Sequence, residues 1–413
     1  MRAVRIEIDP VAVEDAIATL ARHGAHGVTG VWRPVYSPEW VAAQEQVEAW
    51  LREAGLEVRR DAVGNVWGRL EGTEPGPVIA TGSHVDSQTP GGRYDGALGV
   101  VAAVAAVRAL KEQAGRPRRT LEVVSLCEEE ASRFHAASFW GSRAITGETR
   151  REHLDEIRDA DGVSIGEAMR AIGLAPERFE EARRDDVDTF VELHIEQGPR
   201  LEEEGLPVGL VTGVTGLRHY VIRLGGRSDH AGARPMIGRR DPMPGMAEIV
   251  LGAIGNALEL GPPAVTTIGR VAVEPNLPAA VPDRVRFTVD ARHPDPAQLQ
   301  RLYRLHEATF RGVADARGLE LSMDAVLDLS PSSCDPETLE TFEAAAAEEG
   351  IPTLRMHSGA GHDTQRMSKI ARTAMIFVRS KDGRSHTPAE FTSVEDAVDG
   401  IRVLAAGLQQ LAY

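Results

Sequence analysis

The fold is indicated most directly by residues 77–110, PVIATGSHVDSQTPGGRYDGALGVVAAVAAVRAL. The first eight residues form a short, nearly continuous apolar segment, which is typical of a strand buried on both faces of a sheet. A glycine-rich loop follows, and the alanine- and valine-rich segment Gly96–Leu110 then indicates a packed helix. This order of strand, loop and helix predicts an α/β fold that contains a parallel sheet.

Three further segments resemble the strand at 77–84, and they extend the same pattern along the chain. They are TLEVVSL (120–126), DTFVELH (188–194) and TAMIFVRS (373–380). Short apolar strands of this kind belong to a sheet that helices cover on both faces. We therefore predict an α/β domain with a mostly parallel, mixed sheet, formed by residues 1–212 together with residues 331–413.

The middle of the chain, residues 213–330, has a different order of elements. Its strand-like and helix-like segments follow one another as βαββαβ, which is the ferredoxin-like split motif. Because this motif stands between two parts of the parallel-sheet pattern, we predict that it is a small domain inserted into the larger one.

Composition excludes several classes of protein. The chain has 413 residues, of which 42% are hydrophobic, and its formal net charge is −16, which argues against nucleic-acid and anionic-membrane partners. Two cysteines are too few for a disulfide framework. The first ten residues, MRAVRIEIDP, lack the apolar core of a signal peptide, and no apolar run reaches the ~20 residues that cross a bilayer. We expect a soluble, cytoplasmic protein.

Histidine and carboxylate side chains follow the predicted strands at the points where they end. They are His84, Asp86, Asp95, Glu128, Glu129, Glu130, His194 and His386. The carboxyl ends of parallel strands meet at one crevice, so these groups are expected to lie together. Imidazole and carboxylate ligands suit divalent ions, and one carboxylate is able to bridge two ions that lie ~3.5–4 Å apart. Three successive carboxylates also repel one another unless a cation compensates them.

Each of these residues has a structural alternative. A lone histidine in a glycine-rich loop is often only a hydrogen-bonded residue, Asp95 stands where a helix N-cap belongs, and a glutamate triplet is often a solvated face. The coincidence of such groups at four strand ends favours the metal site. By contrast, Gly162–Gly166 fits the nucleophile-elbow pattern G-x-S-x-G, but Ser164 and Glu167 form the sequence of a helix capping box, which we favour.

Seven motifs in a fixed order then point to a family. They are GSHVDSQTPGGRYDGALGV, CEEEASRF, HIEQGP, SDHAGARPM, DARHPD, SGAGHD and SHTPAE. From about residue 30 to the C-terminus the chain resembles the M20 metallopeptidase superfamily, and within it the hydantoinase/carbamoylase branch. The resemblance implies a catalytic domain with a binuclear metal site, and it implies that the inserted domain is a lid through which the protein forms a homodimer.

The resemblance also implies a set of metal ligands. One divalent ion would be held by His84, Asp95 and His194, and Asp95 would bridge to a second ion held by Glu130 and His386. Asp86 matches the residue that orients the first histidine through a hydrogen bond. The expected cofactor is two zinc ions per subunit, with manganese, cobalt or nickel as alternatives, because His and carboxylate ligands suit all four.

Catalytic and substrate-binding roles follow from the same motifs. Glu129 matches the general base, Gln197 a contact to the ureido or amide group, and His230 a lid histidine that stabilises the oxyanion from the partner subunit. Arg292 matches the arginine that receives the substrate carboxylate, for which its planar fork is suited. Without the resemblance, a surface ion pair with a neighbouring aspartate is the simpler interpretation of Arg292.

Two positions depart from the family pattern, and one motif remains unassigned to metal. Ala279 stands where the family usually has a substrate-binding asparagine, with Asn276 three residues earlier as a possible substitute, and Ala131 replaces a common glycine. His362 and Asp363 match residues that shape the substrate pocket.

The function that the resemblance implies is amide hydrolysis of a small substrate that bears a carboxylate. A metal-bound hydroxide, with Glu129 as base, would cleave the ureido C–N bond of an N-carbamoyl-L-amino acid to give amino acid, ammonia and carbon dioxide. An allantoate- or ureidoglycolate-type amidohydrolase and an N-acyl-amino acid amidase are the alternatives on the same site. A metal-free binding protein on the same scaffold is the rival from another class.

Overall fold

The computed structural model describes residues 5–413, which fall into two compact units. The first unit contains the chain up to residue 212 together with residues 333–356 and 362–413. The second contains residues 213–332 and the short segment 357–361. The sequence pattern did not predict that this last segment belongs to the second unit.

Eighteen strands lie within the described part of the chain. They are β1 (Ala25–His26), β2 (Gly30–Val31), β3 (Glu57–Arg60), β4 (Val66–Leu70), β5 (Val78–His84), β6 (Leu121–Leu126), β7 (Val187–Ile195), β8 (Val208–Val214), β9 (Gly216–Gly225), β10 (Asp229–His230), β11 (Val265–Thr267), β12 (Val271–Glu274), β13 (Ala280–Val281), β14 (Arg284–His293), β15 (Glu320–Leu329), β16 (Ser332–Ser333), β17 (Thr353–Ser358) and β18 (Arg372–Val378).

Twelve α-helices accompany these strands in the same range. They are α1 (Pro10–Arg22), α2 (Pro38–Glu53), α3 (Ala97–Ala114), α4 (Trp140–Ile145), α5 (His153–Glu156), α6 (Ile165–Ala171), α7 (Arg200–Glu204), α8 (Pro242–Leu260), α9 (Pro296–Arg317), α10 (Pro336–Glu349), α11 (Thr364–Met367) and α12 (Val394–Ala412). Ser164 and Glu167 form the capping box of α6, as predicted. None of these helices combines the length and apolar character needed to span a membrane.

The main sheet of the first unit is mixed. Its strands lie in the order β8–β18–β7–β5–β6–β4–β3, and pairing is parallel between β18, β7, β5 and β6. The outer strands β8, β4 and β3 pair in the antiparallel sense. The expectation of a mostly parallel sheet therefore holds only for its centre. At one edge the reason is local, because the short turn between β3 and β4 permits only an antiparallel pair.

Close packing of α3 against the central strands depends on Gly99. A Cβ atom at this position would lie 2.2 Å from the carbonyl oxygen of Leu193 and 2.6 Å from the Cβ of Ser83. Both residues directly precede a histidine, since His84 ends β5 and His194 is the penultimate residue of β7. The glycine therefore allows the helix to approach the strand ends that carry these two imidazoles.

The second unit has an antiparallel sheet with the strand order β11–β14–β9–β15, and β12 also pairs with β14. Along the chain its main elements run strand, helix, two short strands, strand, helix and strand. The segment VTTIGRVAVE (265–274), which counts as one strand in the βαββαβ pattern, contains two strands, β11 and β12. Alternate residues of β14, from Val285 to Ala291, are buried in the core of this unit, together with side chains of α8 and α9.

Candidate active site

The four central strands of the first unit end at one edge of the sheet. His84 on β5 is level with Leu126 on β6, and Phe377 on β18 is level with His194 on β7. The loops that leave these strand ends carry the remaining candidate ligands. The predicted gathering of imidazole and carboxylate groups at the carboxyl edge is thus present in the first unit.

One group of candidate metal ligands consists of His84, Asp95 and His194, all of which are buried. The Oδ1 atom of Asp95 lies 3.1 Å from Nε2 of His194 and 3.7 Å from Nε2 of His84. The next residue, Gly96, has a positive φ of 62°, and a Cβ there would lie 2.3 Å from the ring of His84. The loop consequently needs glycine immediately after Asp95.

A second group of candidate ligands consists of Asp95, Glu130 and His386. Nε2 of His386 lies 3.4 Å from Oδ2 of Asp95 and 3.4 Å from Oε2 of Glu130. Asp95 belongs to both groups and directs a different carboxylate oxygen towards each. This is the arrangement that a carboxylate bridging two divalent ions requires.

The chemistry of these donors fits divalent cations. Nε2 of His84 and Oε1 of Glu130 are buried with no hydrogen-bond partner. Within residues 5–413, no Lys or Arg forms an ion pair with Asp95, Glu129 or Glu130. Buried carboxylates without such compensation are costly, and a cation removes that cost. The residues present are therefore able to hold two ions.

The same shortage of positive charge perturbs the pKa values of the site. Burial raises the pKa of Glu129 and of Glu130 well above the usual range of a glutamate, and neighbouring carboxylates add to the rise. Burial alone lowers the pKa of His84, but the carboxylates of Asp86, Glu129 and Asp95 outweigh it and hold that pKa well above its usual value. The carboxylates of Glu129 and Glu130 and the imidazole of His84 thus all bind protons more tightly than usual at the point where the two ligand groups meet.

Within the glutamate triplet, the three side chains have different surroundings. Oε2 of Glu129 lies 3.7 Å from Nε2 of His84, and its side chain is 10% exposed. Glu130 belongs to the second ligand group, whereas Glu128 accepts a hydrogen bond from the backbone N–H of Phe134 within its own loop. Ala131, which stands where glycine is common, has a positive φ of 51°. The loop conformation therefore explains why glycine suits that position.

The contact expected between Asp86 and His84 differs in the structure. Nδ1 of His84 lies 3.1 Å from the backbone carbonyl oxygen of Asp86, whereas the nearer carboxylate oxygen is 3.6 Å away. The longer separation is outside hydrogen-bond range. The Asp86 carboxylate instead accepts a 3.0 Å hydrogen bond from the backbone N–H of Glu130. It thereby links the loops that follow β5 and β6.

Gln197, predicted to contact substrate, lies beside Asp95. Its Nε2 donates a 2.7 Å hydrogen bond to Oδ2 of Asp95, and its Oε1 is buried without a partner. Its backbone has a positive φ of 60°, which is uncommon for a residue other than glycine. A side chain held in this way presents a polar amide at the second ligand group.

Sequence reasoning did not identify Glu390. Its Oε1 accepts hydrogen bonds from the backbone N–H groups of Tyr94 and Asp95, at 2.8 and 2.9 Å. Ser385 donates to Oδ2 of Asp95 at 2.6 Å and lies 3.1 Å from Oε2 of Glu390. Glu390 therefore joins the loop that carries Asp95 to the loop that carries His386. The motif SHTPAE contained the residue, but its partners are almost 300 positions away in the chain.

His362 and Asp363 are buried beside the ligands and belong to neither ligand group. The His362 ring packs edge-on against His194, with centroids 4.6 Å apart, and against Phe377. Asp363 accepts a hydrogen bond from Ser142, and burial raises its pKa to about 7. These contacts fix the walls of the site around the first ligand group.

Three residues that were predicted to bind substrate, namely His230, Asn276 and Arg292, lie in the second unit. His230 is exposed on β10, and its Nδ1 accepts hydrogen bonds from the backbone N–H groups of Gly232 and Ala233. In the neutral imidazole this leaves the proton on Nε2, which is then a donor. The backbone carbonyl oxygen of Ala279 accepts a hydrogen bond from the backbone N–H of Ala231, which is the residue after His230. Asn276, the proposed substitute for the missing asparagine, is exposed and has a positive φ of 54°.

Arg292 lies on β14 and forms the predicted ion pair with a neighbouring aspartate. Its Nε is 2.8 Å from Oδ1 of Asp290, and its Nη2 is 3.0 Å from Oδ2 of the same carboxylate. Nη1 donates a 2.8 Å hydrogen bond to the carbonyl oxygen of Gly359. The guanidinium therefore has a fixed orientation, although 29% of the side chain remains exposed.

Comparisons with known proteins identify the family of the chain. The model of peptidase family M20/M25/M40 matches residues 80–410, and the chain belongs to this family. It is 40% identical to an allantoate amidohydrolase from Bacillus subtilis over 97% of this chain and 98% of that protein. It is also 40% identical to an N-carbamoyl-L-amino acid amidohydrolase from Geobacillus stearothermophilus, over 93% of this chain and 94% of that one.

A solved structure has the same architecture. An amidase of the hydantoinase/carbamoylase family from Burkholderia multivorans superposes with a TM-score of 0.88, at 33% identity, and 98% of each chain is covered. The two relatives are named as amidohydrolases, and this chain is accordingly an amidohydrolase of the same family.

The Glu390 contacts generate a prediction that does not depend on activity. Glu390→Ala should accelerate hydrogen exchange at the amides of Tyr94 and Asp95, because both lose their acceptor, and should weaken divalent-ion binding by about 10–100-fold. Exchange mass spectrometry and metal titration measure the two effects. Asp335→Ala is the control, since it removes an acceptor at the N-cap of α10 and should leave metal binding unchanged. Unaltered exchange at Tyr94 and Asp95 would contradict the assignment.

Proposed function

We propose that the protein hydrolyses the ureido C–N bond of an N-carbamoyl-L-amino acid to give amino acid, ammonia and carbon dioxide. The observation that carries the proposal is the position of Asp95, which directs one carboxylate oxygen to each of two ligand groups, with Glu129 beside them. The family assignment supports amide hydrolysis, and the shared motifs support a small substrate that bears a carboxylate.

In this proposal His84, Asp95 and His194 hold one divalent ion, and Asp95, Glu130 and His386 hold the other. Bound at these groups, divalent ions polarise a carbonyl and lower the pKa of a water molecule. The donors are imidazole and carboxylate, so zinc is our proposal for the metal, with manganese, cobalt and nickel as alternatives.

The chain's own groups then divide the remaining work. The Glu129 carboxylate takes the proton from the attacking water and returns it to the leaving nitrogen. Gln197 offers its amide to the ureido group, and Nε2 of His230 donates a hydrogen bond to the developing oxyanion. Arg292 receives the substrate carboxylate. His230 and Arg292 belong to the second unit, for which we propose the role of a lid. In the proposed homodimer both residues complete the site of the partner subunit.

A homodimer formed through the second unit is part of the same proposal. Helix α8 carries an exposed apolar row at helical spacing, formed by Leu251, Ile254 and Leu258, whose exposed fractions are 71%, 39% and 77%. An apolar row of this kind is typical of a surface that another protein covers. Analytical ultracentrifugation of the purified chain measures its oligomeric state.

An allantoate- or ureidoglycolate-type amidohydrolase is the second candidate, and an N-acyl-amino acid amidase is the third. Similarity supports allantoate as well as it supports the carbamoyl substrate, because the chain is 40% identical to relatives named for each. Ala279 favours neither substrate, because an alanine there removes the amide that the family usually offers to substrate. A metal-free binding protein fits less well, since both ligand groups are complete.

A substrate panel distinguishes these candidates. We expect purified protein, with each metal added back, to release ammonia from N-carbamoyl-L-amino acids faster than from allantoate, ureidoglycolate or β-ureidopropionate, and to act least on N-acetyl and N-formyl amino acids. Kinetic measurement of kcat/KM across the panel tests the order. Preferential turnover of allantoate would replace the first candidate with the second.

The shared position of Asp95 predicts the metal content. Protein purified without chelator should contain close to two divalent ions per chain, and Asp95→Ala should lose both, because each group loses one of its three ligands. Elemental analysis gives the stoichiometry. Asp290→Ala, which removes a carboxylate from the second unit, is the matched control and should retain both ions. Full occupancy in Asp95→Ala would refute the bridging role.

The general-base role predicts a separation of metal binding from turnover. Glu129→Gln keeps the shape of the side chain but cannot take a proton, so kcat should fall by about 10²–10⁴-fold while metal content is retained. Steady-state kinetics and elemental analysis on the same preparation test both parts. A comparable loss of metal would instead identify Glu129 as a ligand and exchange its role with that of Glu130.

A further inference from the structure

The open face of the sheet in the second unit carries a connected set of polar side chains. Asp290 on β14 is paired in register with His219 on β9. Arg292 is two residues further along β14, so its side chain projects from the same face as that of Asp290. Val289, which precedes Asp290, and Ala291, which lies between Asp290 and Arg292, belong to the core of this unit. The strand alternation thus places an imidazole, a carboxylate and a guanidinium together.

The contacts between these three groups hold the guanidinium by one side. Asp290 accepts hydrogen bonds from Nε and Nη2 of Arg292, and its Oδ2 is also in contact with Nε2 of His219. Burial alone raises the pKa of Asp290, but the bonds from His219 and Arg292 outweigh it and keep that pKa below its usual value. The carboxylate therefore remains an acceptor for both neighbours.

A count of donors shows what Arg292 has left for a ligand. A guanidinium has five N–H groups, and Asp290 and Gly359 use three of them. The remaining two are one N–H on Nη1 and one on Nη2. A carboxylate with its two oxygens in one plane matches two such donors. One donor on each Nη atom is therefore available to a carboxylate.

The space beside these groups is sufficient for part of a small substrate. An open cavity of about 580 Å³ is lined by Arg292, Asp290, His219, Thr267, Thr288 and Arg270, among others. All of its lining residues belong to the second unit. The cavity contains the predicted carboxylate receptor together with both groups that fix its orientation.

We propose that Asp290 and His219 are positioning residues that hold Arg292 with two N–H donors presented to the substrate carboxylate. The inference rests on the proposed function in one respect, which is that Arg292 receives that carboxylate. Two opposite effects of Asp290 decide the outcome of its removal. As an orienting partner it strengthens binding of the substrate carboxylate, whereas as a competing anion it weakens such binding. The bidentate geometry and the second contact from His219 favour orientation.

The test compares an N-carbamoyl-L-amino acid with its carboxamide, which lacks the charge. Asp290→Ala should raise KM for the carboxylate substrate by about 10-fold, with little change in kcat and little effect on the carboxamide. His219→Ala should act in the same direction to a smaller extent. His219→Gln should restore KM, because it returns an N–H donor at similar reach, and a merely structural role would not give this pattern.

One control and one milder substitution of Asp290 accompany these variants. Asp324→Ala removes the ion pair of Asp324 with Arg223 on the same sheet, outside the cavity lining, and should leave KM unchanged. Asp290→Asn keeps the shape and one acceptor oxygen, so it gives a smaller KM rise and serves where the alanine variant does not fold. Circular dichroism confirms the folded state of each protein.

Arg292→Ala separates failure of the inference from failure of the proposed function. It should raise KM for the carboxylate substrate by roughly 30-fold or more. If it does so while Asp290→Ala leaves KM unchanged or lowers it, the positioning inference is overturned and the role of Arg292 stands. If Arg292→Ala does not discriminate between carboxylate and carboxamide, the carboxylate role of Arg292 is wrong, and the positioning inference is overturned with it.

Discussion

Uncompensated negative charge at the carboxyl edge of one sheet is the constraint on which the arrangement of the first unit depends. Asp86, Asp95 and Glu129 are buried there beside imidazoles, and Glu130 is half-buried. No lysine or arginine within residues 5–413 pairs with Asp95, Glu129 or Glu130. In a medium of low dielectric such a cluster opposes folding unless protons or cations neutralise it. Two ligand groups that share Asp95 offer a place for that positive charge. The buried negative charge that opposes folding is thus also what makes this edge of the sheet suitable for divalent ions.

Close backbone approach makes this concentration of charge possible. Gly96 leaves room for the ring of His84, and Gly99 lets α3 pack directly against the strands that end in the two buried histidines. Glu390 and Asp86 then tie neighbouring loops together through backbone N–H groups. Each contact acts on the backbone next to a ligand, so the positions of the ligands are set by rigid elements and by polar bonds that resist local movement.

In the second unit, too, neighbouring residues hold a charged group in place, but here the charge is positive. Arg292 is the cation, and Asp290 neutralises it while leaving two of its donors available. Because the alternation of β14 buries Val289 and Ala291, the polar residues Asp290 and Arg292 that follow them are directed to the open face. A guanidinium fixed in this way loses less freedom when it binds a planar anion than an unrestrained one does.

The sequence by itself determined the periodicity of the strands, the α/β pattern of the first unit and the groups at the strand ends, because burial and alternation leave a direct mark on residue type. It predicted that His84, Asp95, Glu130, His194 and His386 gather, and in the structure they do. Tertiary structure alone decided the partners that lie far apart in the chain: Glu390 with Asp95, His219 with Asp290, and residues 357–361 with the second unit. It also decided that Nδ1 of His84 lies closer to the backbone carbonyl oxygen of Asp86 than to its carboxylate. A hydrogen bond between distant residues depends on the folded path of both segments, and that path leaves no pattern in the local sequence.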